Sequence, residues 1–219
     1  METRKKGDRT RRRLLEVAFG VIRRKGFQAA GLGELLQRAG LTKGALYHHF
    51  GDKLALGYAV VEEIVSEIIE KRWITPLGVE GDPLTTIAEG MRAAVEGMKD
   101  RDIMLGCPLG NLAGEMSAIN AGFASRIDAI YQKWRDALAA LLRAVEPEIE
   151  TPDRIAEFVV SSLSGCLAQA KATGRREVLL NGIAELSFYL QRLGTESPQE
   201  SRPQYVQSPS GGEIEDYLL

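Results

Sequence analysis

Apolar residues recur at intervals of three and four along almost the whole chain, and no convincing stretch alternates at period two. Leu14, Val17, Ala18, Val21 and Ile22 predict an amphipathic first helix that stops near Gly26. A second, Leu32 to Ala39, is closed by Gly40, a residue suited to left-handed geometry after a helix. Leu41-Thr42 leads into a short helix from Lys43 to about Phe50, with Thr42 placed as its cap. Asp52 is placed to cap a longer helix to about Trp73, in which Leu56, Val60, Ile64 and Ile68 step along one face. Pro76 to Pro83 reads as a loop, and Ile87, Met91, Val95 and Met98 mark the helix after it.

Asp100 and Asp102 suggest a turn, after which Gly106-Cys107-Pro108 opens a helix, proline being tolerated in a first turn. Phe123, Ile127, Ile130, Trp134, Leu138, Leu141 and Val145 form one stripe of a helix from about Ala121 to Glu146. Thr151-Pro152-Asp153 starts another that runs to Gly174, and the last spans about Arg175 to Gly194. From Thr195 onward serine, proline and glycine replace the periodicity, which predicts a disordered tail; Ile214 to Leu219 reads as a frayed end. The fold class is all-α: an N-terminal three-helix unit followed by a larger helical domain. The domains read as residues 1–53, 54–194 and 195–219.

Composition changes little in that picture. Of 219 residues, 44% are hydrophobic and 26% charged, ordinary for a globular chain and unlike a wholly disordered one. No apolar run approaches the roughly 20 residues that span a bilayer, and Met1-Glu-Thr-Arg-Lys-Lys has no apolar segment behind it, so neither a membrane partner nor a secretory signal is expected. Cys107 and Cys166 are too few for a disulfide framework and read as reduced, cytoplasmic thiols.

Charge is more informative, because the net −2 hides an asymmetry. Residues 1–53 carry thirteen Lys and Arg against five Asp and Glu, an excess of 8; the remainder carries fifteen against twenty-five, a deficit of 10. That division suggests a head that binds a polyanion on an acidic body. The spacing supplies the motif. Two short helices meet at Gly40-Leu41-Thr42 with a third bracing them, a helix-turn-helix whose later helix enters a major groove roughly 12 Å wide. A wheel turns Leu46 and Phe50 inward and Gly44, Ala45 and His48 outward, flanked by Lys43 and Tyr47. The small residues let the backbone approach the bases, while Thr42, the helix N-terminus and Lys53 offer donors and charge to phosphate.

The run Ala39-Gly-Leu-Thr-Lys-Gly-Ala-Leu-Tyr-His-His-Phe-Gly-Asp-Lys53, with Gly26-Phe27 before it, resembles the DNA-binding signature of the TetR/AcrR family of bacterial transcriptional regulators. The resemblance covers about residues 9–60 and implies a homodimeric regulator with an N-terminal DNA-binding domain and a C-terminal ligand-binding and dimerisation domain. It implies that Thr42, Lys43, Gly44, Ala45, Tyr47 and His48 contact groove and backbone, and that His49 and Lys53 touch phosphate; the wheel puts His49 nearer the packed side, so bracing is its other role. Ala30 and Gly31 depart from the Ser or Thr usual in the family there, and a hydroxyl bond to phosphate goes with them. His48 and His49 as a metal pair is disfavoured, because adjacent helical residues diverge, and no cofactor is implied.

In the body, Ser161, Ser162, Ser164, Gly165 and Ala168 would permit close helix approach, with Phe158, Leu163, Leu167, Leu186 and Leu190 filling a dimer seam; the alternative is that these faces cover the subunit's own core. A pocket is expected where Met91, Met98, Met104, Phe123, Tyr131 and Trp134 collect, with Asn111, Glu115 and Asn120 as polar groups. The ligand set is Met91, Met104, Cys107, Asn111, Phe123, Tyr131 and Trp134, and the expected effector is small and apolar or aromatic. Cys107 precedes Pro108 at a helix start, where the dipole favours a thiolate. Residues 106–113 also resemble a family subgroup in which some members sense oxidants or electrophiles through cysteine; the other role is a small buried core residue. An enzyme is disfavoured, because both histidines lie in the DNA motif and none is left to partner Cys107; a helical adaptor with a basic head is the remaining alternative. The function expected is a repressor that binds a near-palindromic operator and releases it on binding an effector.

Overall fold

The computed structural model describes residues 2–145 and 150–193, with side chains from residue 7 onward. The expected helix end at Gly194 and the expected disorder of residues 195–219 lie outside the described residues. Among those described, every regular element is a helix.

The head is built from three helices. α1 (Glu2–Lys25) buries Leu14, Leu15, Ala18, Val21 and Ile22. α2 (Leu32–Ala39) turns Leu35 and Ala39 inward and ends at Gly40, whose left-handed φ of 63° lets Gly40 N–H reach Gln37 C=O and Leu41 N–H reach Leu36 C=O. That pair of bonds satisfies the last carbonyls of α2 and fixes the angle at which the chain leaves it. α3 (Lys43–Phe50) follows, capped by the Thr42 hydroxyl, which accepts from Ala45 N–H at 3.3 Å. Leu46 and Phe50 are buried beneath it.

A single helical rod then runs through residues 53–74, begun by Asp52, which accepts from Ala55 N–H at 2.6 Å. It comprises α4 (Lys53–Ala59), a π-helical stretch Val60–Val65, α5 (Ser66–Ile69) and a second π-helical stretch Glu70–Ile74. The buried stripe passes through Leu56, Val60 and Ile64 as the spacing predicts, but then moves from Ile68, which is half-buried, to Ile69 and Trp73. The wider π turns account for this shift of one residue, which strict α periodicity does not anticipate. The rod packs on α1 on one side and on the long helix Ala121–Leu142 on the other, so it spans head and body.

The body contains α6 (Pro83–Glu96), α7 (Asp100–Met104), α8 (Pro108–Met116), α9 (Ala121–Leu142), α10 (Pro152–Thr173) and α11 (Arg176–Leu193). The segment expected to be a turn at Asp100 and Asp102 is the short helix α7, and α9 ends at Leu142 rather than near Glu146. α10 lies between α9 and α11, and α11 returns against α6. Arg176 ties that return down by donating to the C=O groups of Val95 and Met98 at 3.0 and 2.9 Å.

Four residues expected in a dimer seam belong instead to this internal core: Leu163, Leu167, Leu186 and Leu190 are at most 4% exposed. The outward face of α10 and α11 is Phe158, Leu180, Phe188 and Tyr189, with Phe158 and Tyr189 meeting edge to face at 5.3 Å. The spacing of Leu163 to Leu190 identifies a packed face without telling which neighbour it packs against.

Candidate functional site

The outward side of α3 carries Thr42, Lys43, Gly44, Tyr47 and His48, all exposed, with Ala45 half-buried at its edge. Around Gly44 a Cβ would meet nothing nearer than the Thr42 hydroxyl, at 3.8 Å, so a flat strip of backbone faces outward. Arg13 of α1 reaches the turn between α2 and α3, its guanidinium 3.5 Å from where a Gly40 Cβ would stand. Sequence spacing gave no sign of Arg13, because it comes from a helix outside the motif.

His49 and Lys53 sit differently. His49 is half-buried between His48 and Phe50, and burial, then the charges of His48 and Arg11, push its imidazole below the usual histidine range. Lys53 donates from Nζ to Gln28 C=O at 3.1 Å and lies 4.8 Å from the centre of the Phe27 ring. It therefore ties the start of α4 to the α1–α2 turn and leaves two donors for any other acceptor. Two other cations of the head are engaged at its rear: Arg11 pairs with Glu63 and lies over the Phe50 ring, and Arg12 pairs with Glu16 and Glu67.

Behind the head, the body grips the α1–α2 turn. Glu115 of α8 accepts the N–H groups of Phe27 and Gln28 at 2.8 and 2.9 Å. Phe123 of α9 meets Phe27 edge-on at 4.8 Å and Tyr58 at 5.1 Å. Tyr58 donates to Asn120 Oδ1, which also caps α9 through Phe123 N–H. Phe123 and two of the three polar groups expected near an effector, Glu115 and Asn120, are thus used to join head to body.

The expected ligand residues do not line one cavity. Met91 and Trp134 are core residues, Trp134 stacked on Trp73 at 5.4 Å, and Met104 is half-buried on α7. Cys107, Asn111 and Tyr131 do come together at the start of α8: a Cβ on Gly110 would lie 3.5 Å from the Tyr131 hydroxyl and 3.7 Å from Cys107 Cβ. Asn111 donates to Leu105 C=O at 2.8 Å and accepts from Lys171 Nζ at 3.0 Å.

Cys107 is the N-cap of α8 and 7% exposed. Burial raises its thiol pKa above the ordinary value, and it outweighs the N–H groups of Gly110 and Leu109 and the charges of Arg72 and Arg23, which act the other way. The helix-start argument for a thiolate is correct in sign and too small against desolvation. Arg72 and Arg23 reach the thiol from other helices, which its sequence neighbours do not indicate. Burial likewise raises the Tyr131 hydroxyl, with Cys107 adding to the shift.

Next to this cluster, between the end of α1 and α8, lies a crevice of about 310 Å³, and Asn111 is the one expected ligand residue on its wall. Among the described residues no group of three or more His, Cys, Asp and Glu is arranged to hold a metal ion, and no helix is long and apolar enough to cross a membrane.

A small-residue helix displayed on a basic three-helix head, joined by one rod to a helical body, defines a helix-turn-helix DNA-binding regulator. Residues 14–60 match the model of bacterial regulatory proteins of the tetR family, and residues 83–185 match that of the LmrA/YxaF-like transcriptional regulator C-terminal domain. The chain belongs to the TetR/AcrR family of transcriptional regulators, which is not a family of enzymes. It is 28% identical over 173 residues to the transcriptional regulator AcuR of Cereibacter sphaeroides, covering 76% of this chain and 78% of that one. It is 23% identical over 177 residues to the transcriptional repressor DhaR of a Mycobacterium species, covering 77% and 86%. A TetR transcriptional regulator from Chloroflexus aurantiacus shares the fold with a TM-score of 0.75 at 23% identity, over 86% of this chain and 97% of the other.

Proposed function

We propose that the chain is a homodimeric repressor whose head, residues 1–53, binds a near-palindromic operator, and whose body, residues 54–194, dimerises and binds a small effector that releases the DNA. The observation that carries this reading is the open Gly44 strip of α3 with Thr42, Lys43, Ala45, Tyr47 and His48 around it. Thr42 and Lys43 suit phosphate at the helix N-terminus, while Tyr47 and His48 suit base edges. Lys53, held against Gln28, aids phosphate binding by fixing the turn and lending its remaining donors. His49 braces the head. Two copies present their α3 helices to grooves about 34–36 Å apart.

The dimer is supported by the apolar outward face of α10 and α11. Effector control is supported by the rod through residues 53–74, which packs on both α1 and α9; a shift of the body moves it and changes the spacing of the heads. The effector must bind the released form more tightly, and a tenfold preference corresponds to about 1.4 kcal/mol. Within this reading the effector acts without a covalent bond, since the Cys107 thiol is buried and its pKa is raised.

The test is a binding titration with a duplex selected from a random pool. Affinity falls steeply as salt is raised, and Tyr47→Ala with Lys43→Ala weakens it by about tenfold or more. Salt-independent binding, or full affinity in the double variant, overturns the assignment of this face.

A further inference from the structure

We propose that the crevice between the last turns of α1 and α8 binds a small hydrophobic carboxylate and that its occupation loosens the head. This rests on the effector-controlled reading above and gives the effector a chemical class and a place.

The crevice is built for an amphipathic anion. Arg23, Arg24 and Lys25 line it from α1 and Lys171 from α10, against one acidic group, Glu115. Arg23 is partly answered by Asp102, at 2.8 Å, and Lys25 by Glu34, at 2.8 Å. The Lys171 ammonium donates to the neutral Asn111 amide, and Arg24 makes no ion pair among the described residues. Two cations thus make no ion pair among the described residues, with Glu115 the one carboxylate on the wall they share. Arg23 is held in place at the crevice wall, donating from its two terminal nitrogens to the Asp102 carboxylate and C=O at 2.8 and 3.1 Å. Phe19, Ile22, Pro108 and Leu112 supply an apolar wall, which inorganic anions cannot use. A volume of about 310 Å³ is at the small end for ligand sites and suits an acid of one ring or a short chain.

The same geometry couples the crevice to the DNA head. Both oxygens of Glu115 hold the Phe27 and Gln28 N–H groups, and this carboxylate forms part of the crevice wall. A second carboxylate drawn in by Arg24 and Lys171 stands beside it, and like charges in a partly desolvated space repel. The grip on the α1–α2 turn weakens, and the head is freed from the body.

The test uses the full chain, with benzoate and hexanoate as probes and benzamide, hexanamide and inorganic phosphate as controls. Binding is read by calorimetry and operator release by fluorescence anisotropy. The expected result is saturable binding of the acids, at least about tenfold weaker binding of the amides and of phosphate, and an equal loss in Arg24→Gln, Lys171→Gln. Both side chains are exposed, a thermal melt checks folding, and Lys171→Gln alone serves where the double variant does not fold. Amides binding as well as acids, phosphate binding as well as benzoate, acids that do not bind, or an unaffected variant overturns the site. Acid binding without operator release overturns the coupling. A chain that binds benzoate but no duplex supports the site and overturns the regulator reading; one that binds duplex but neither acid does the reverse.

Discussion

Gly26 and Glu115 are pressed together across the junction of head and body: a Cβ on Gly26 would stand 2.7 Å from Glu115 Oε1, and Gly26 holds a φ of +87°. Only glycine adopts that backbone without strain while letting the carboxylate reach the next two N–H groups. Gly26→Ala is therefore expected to destabilise the fold by about 2 kcal/mol, from positive-φ strain and the displaced carboxylate together. Glu115→Ala is expected to cost a similar amount through the two lost charge-assisted bonds. The double variant should cost less than the sum, since removing the carboxylate relieves the clash. Urea unfolding of the four proteins tests this, and strict additivity would show that the two residues do not act as a pair.

How much of this was legible in the chain depends on the range of the interactions. Thr42, Gly40, Asp52 and Asn120 act within three to five residues, and the first three are readable as caps and stops because that chemistry is local. The inward turn of Leu46 and Phe50 follows from helical spacing alone. The junction was not legible, since Glu115 lies 88 residues from Phe27 and nothing near either indicates the other. Phe123 shows the same limit: an aromatic in a buried stripe can wall a pocket or wedge two domains, and here it meets Phe27.

Gly182 governs the approach of α10 and α11. A Cβ there would lie 2.2 Å from Cys166 Sγ and 3.3 Å from its Cβ. Gly182→Ala is expected to destabilise by about 1–3 kcal/mol through overpacking, in spite of the better helix propensity of alanine. Cys166→Ala in the same chain should recover part of the loss, because the sulfur is the nearer atom. If Gly182→Ala is neutral in thermal melts, the helices are not held as closely as this geometry requires.

The two thiols should differ in reactivity. Burial raises the pKa of both, but Cys107 is buried and Cys166 half-buried. With an aromatic disulfide reagent near neutral pH, Cys166 is expected to react first and Cys107 at a rate set by opening of the fold. Single Cys→Ser variants assign the phases. A fast Cys107 phase in native protein would show that access, not thiolate fraction, controls it, and would bring covalent sensing back into the mechanism.

The exposed aromatic face of α10 and α11 predicts the assembly. Phe158 is 49% exposed and Phe188 56%, high values for phenylalanines on adjacent helices of one chain. Phe158→Asp with Phe188→Asp should convert a dimer into a monomer in sedimentation equilibrium. Operator affinity should drop at least about tenfold, because each head then binds alone. Monomeric wild-type protein at the same concentration would remove the dimer from the proposal.

Acid should loosen the rear of the head before its core. The bond to Arg11 holds the Glu63 carboxyl below the usual carboxylate range, against a smaller opposing effect of burial. A carboxylate whose pKa is lower folded than unfolded stabilises the fold above its unfolded pKa, near 4.3, and loses that contribution as pH falls through the folded value. Both side chains are 37% exposed, so the pair contributes no more than about 1 kcal/mol after solvent screening. Glu63→Gln should therefore be less stable than wild type near pH 7, with the difference vanishing near pH 2. Urea midpoints across that range measure it. A constant difference at every pH would assign the effect to packing, and the Arg11 bond would then contribute nothing as an ion pair.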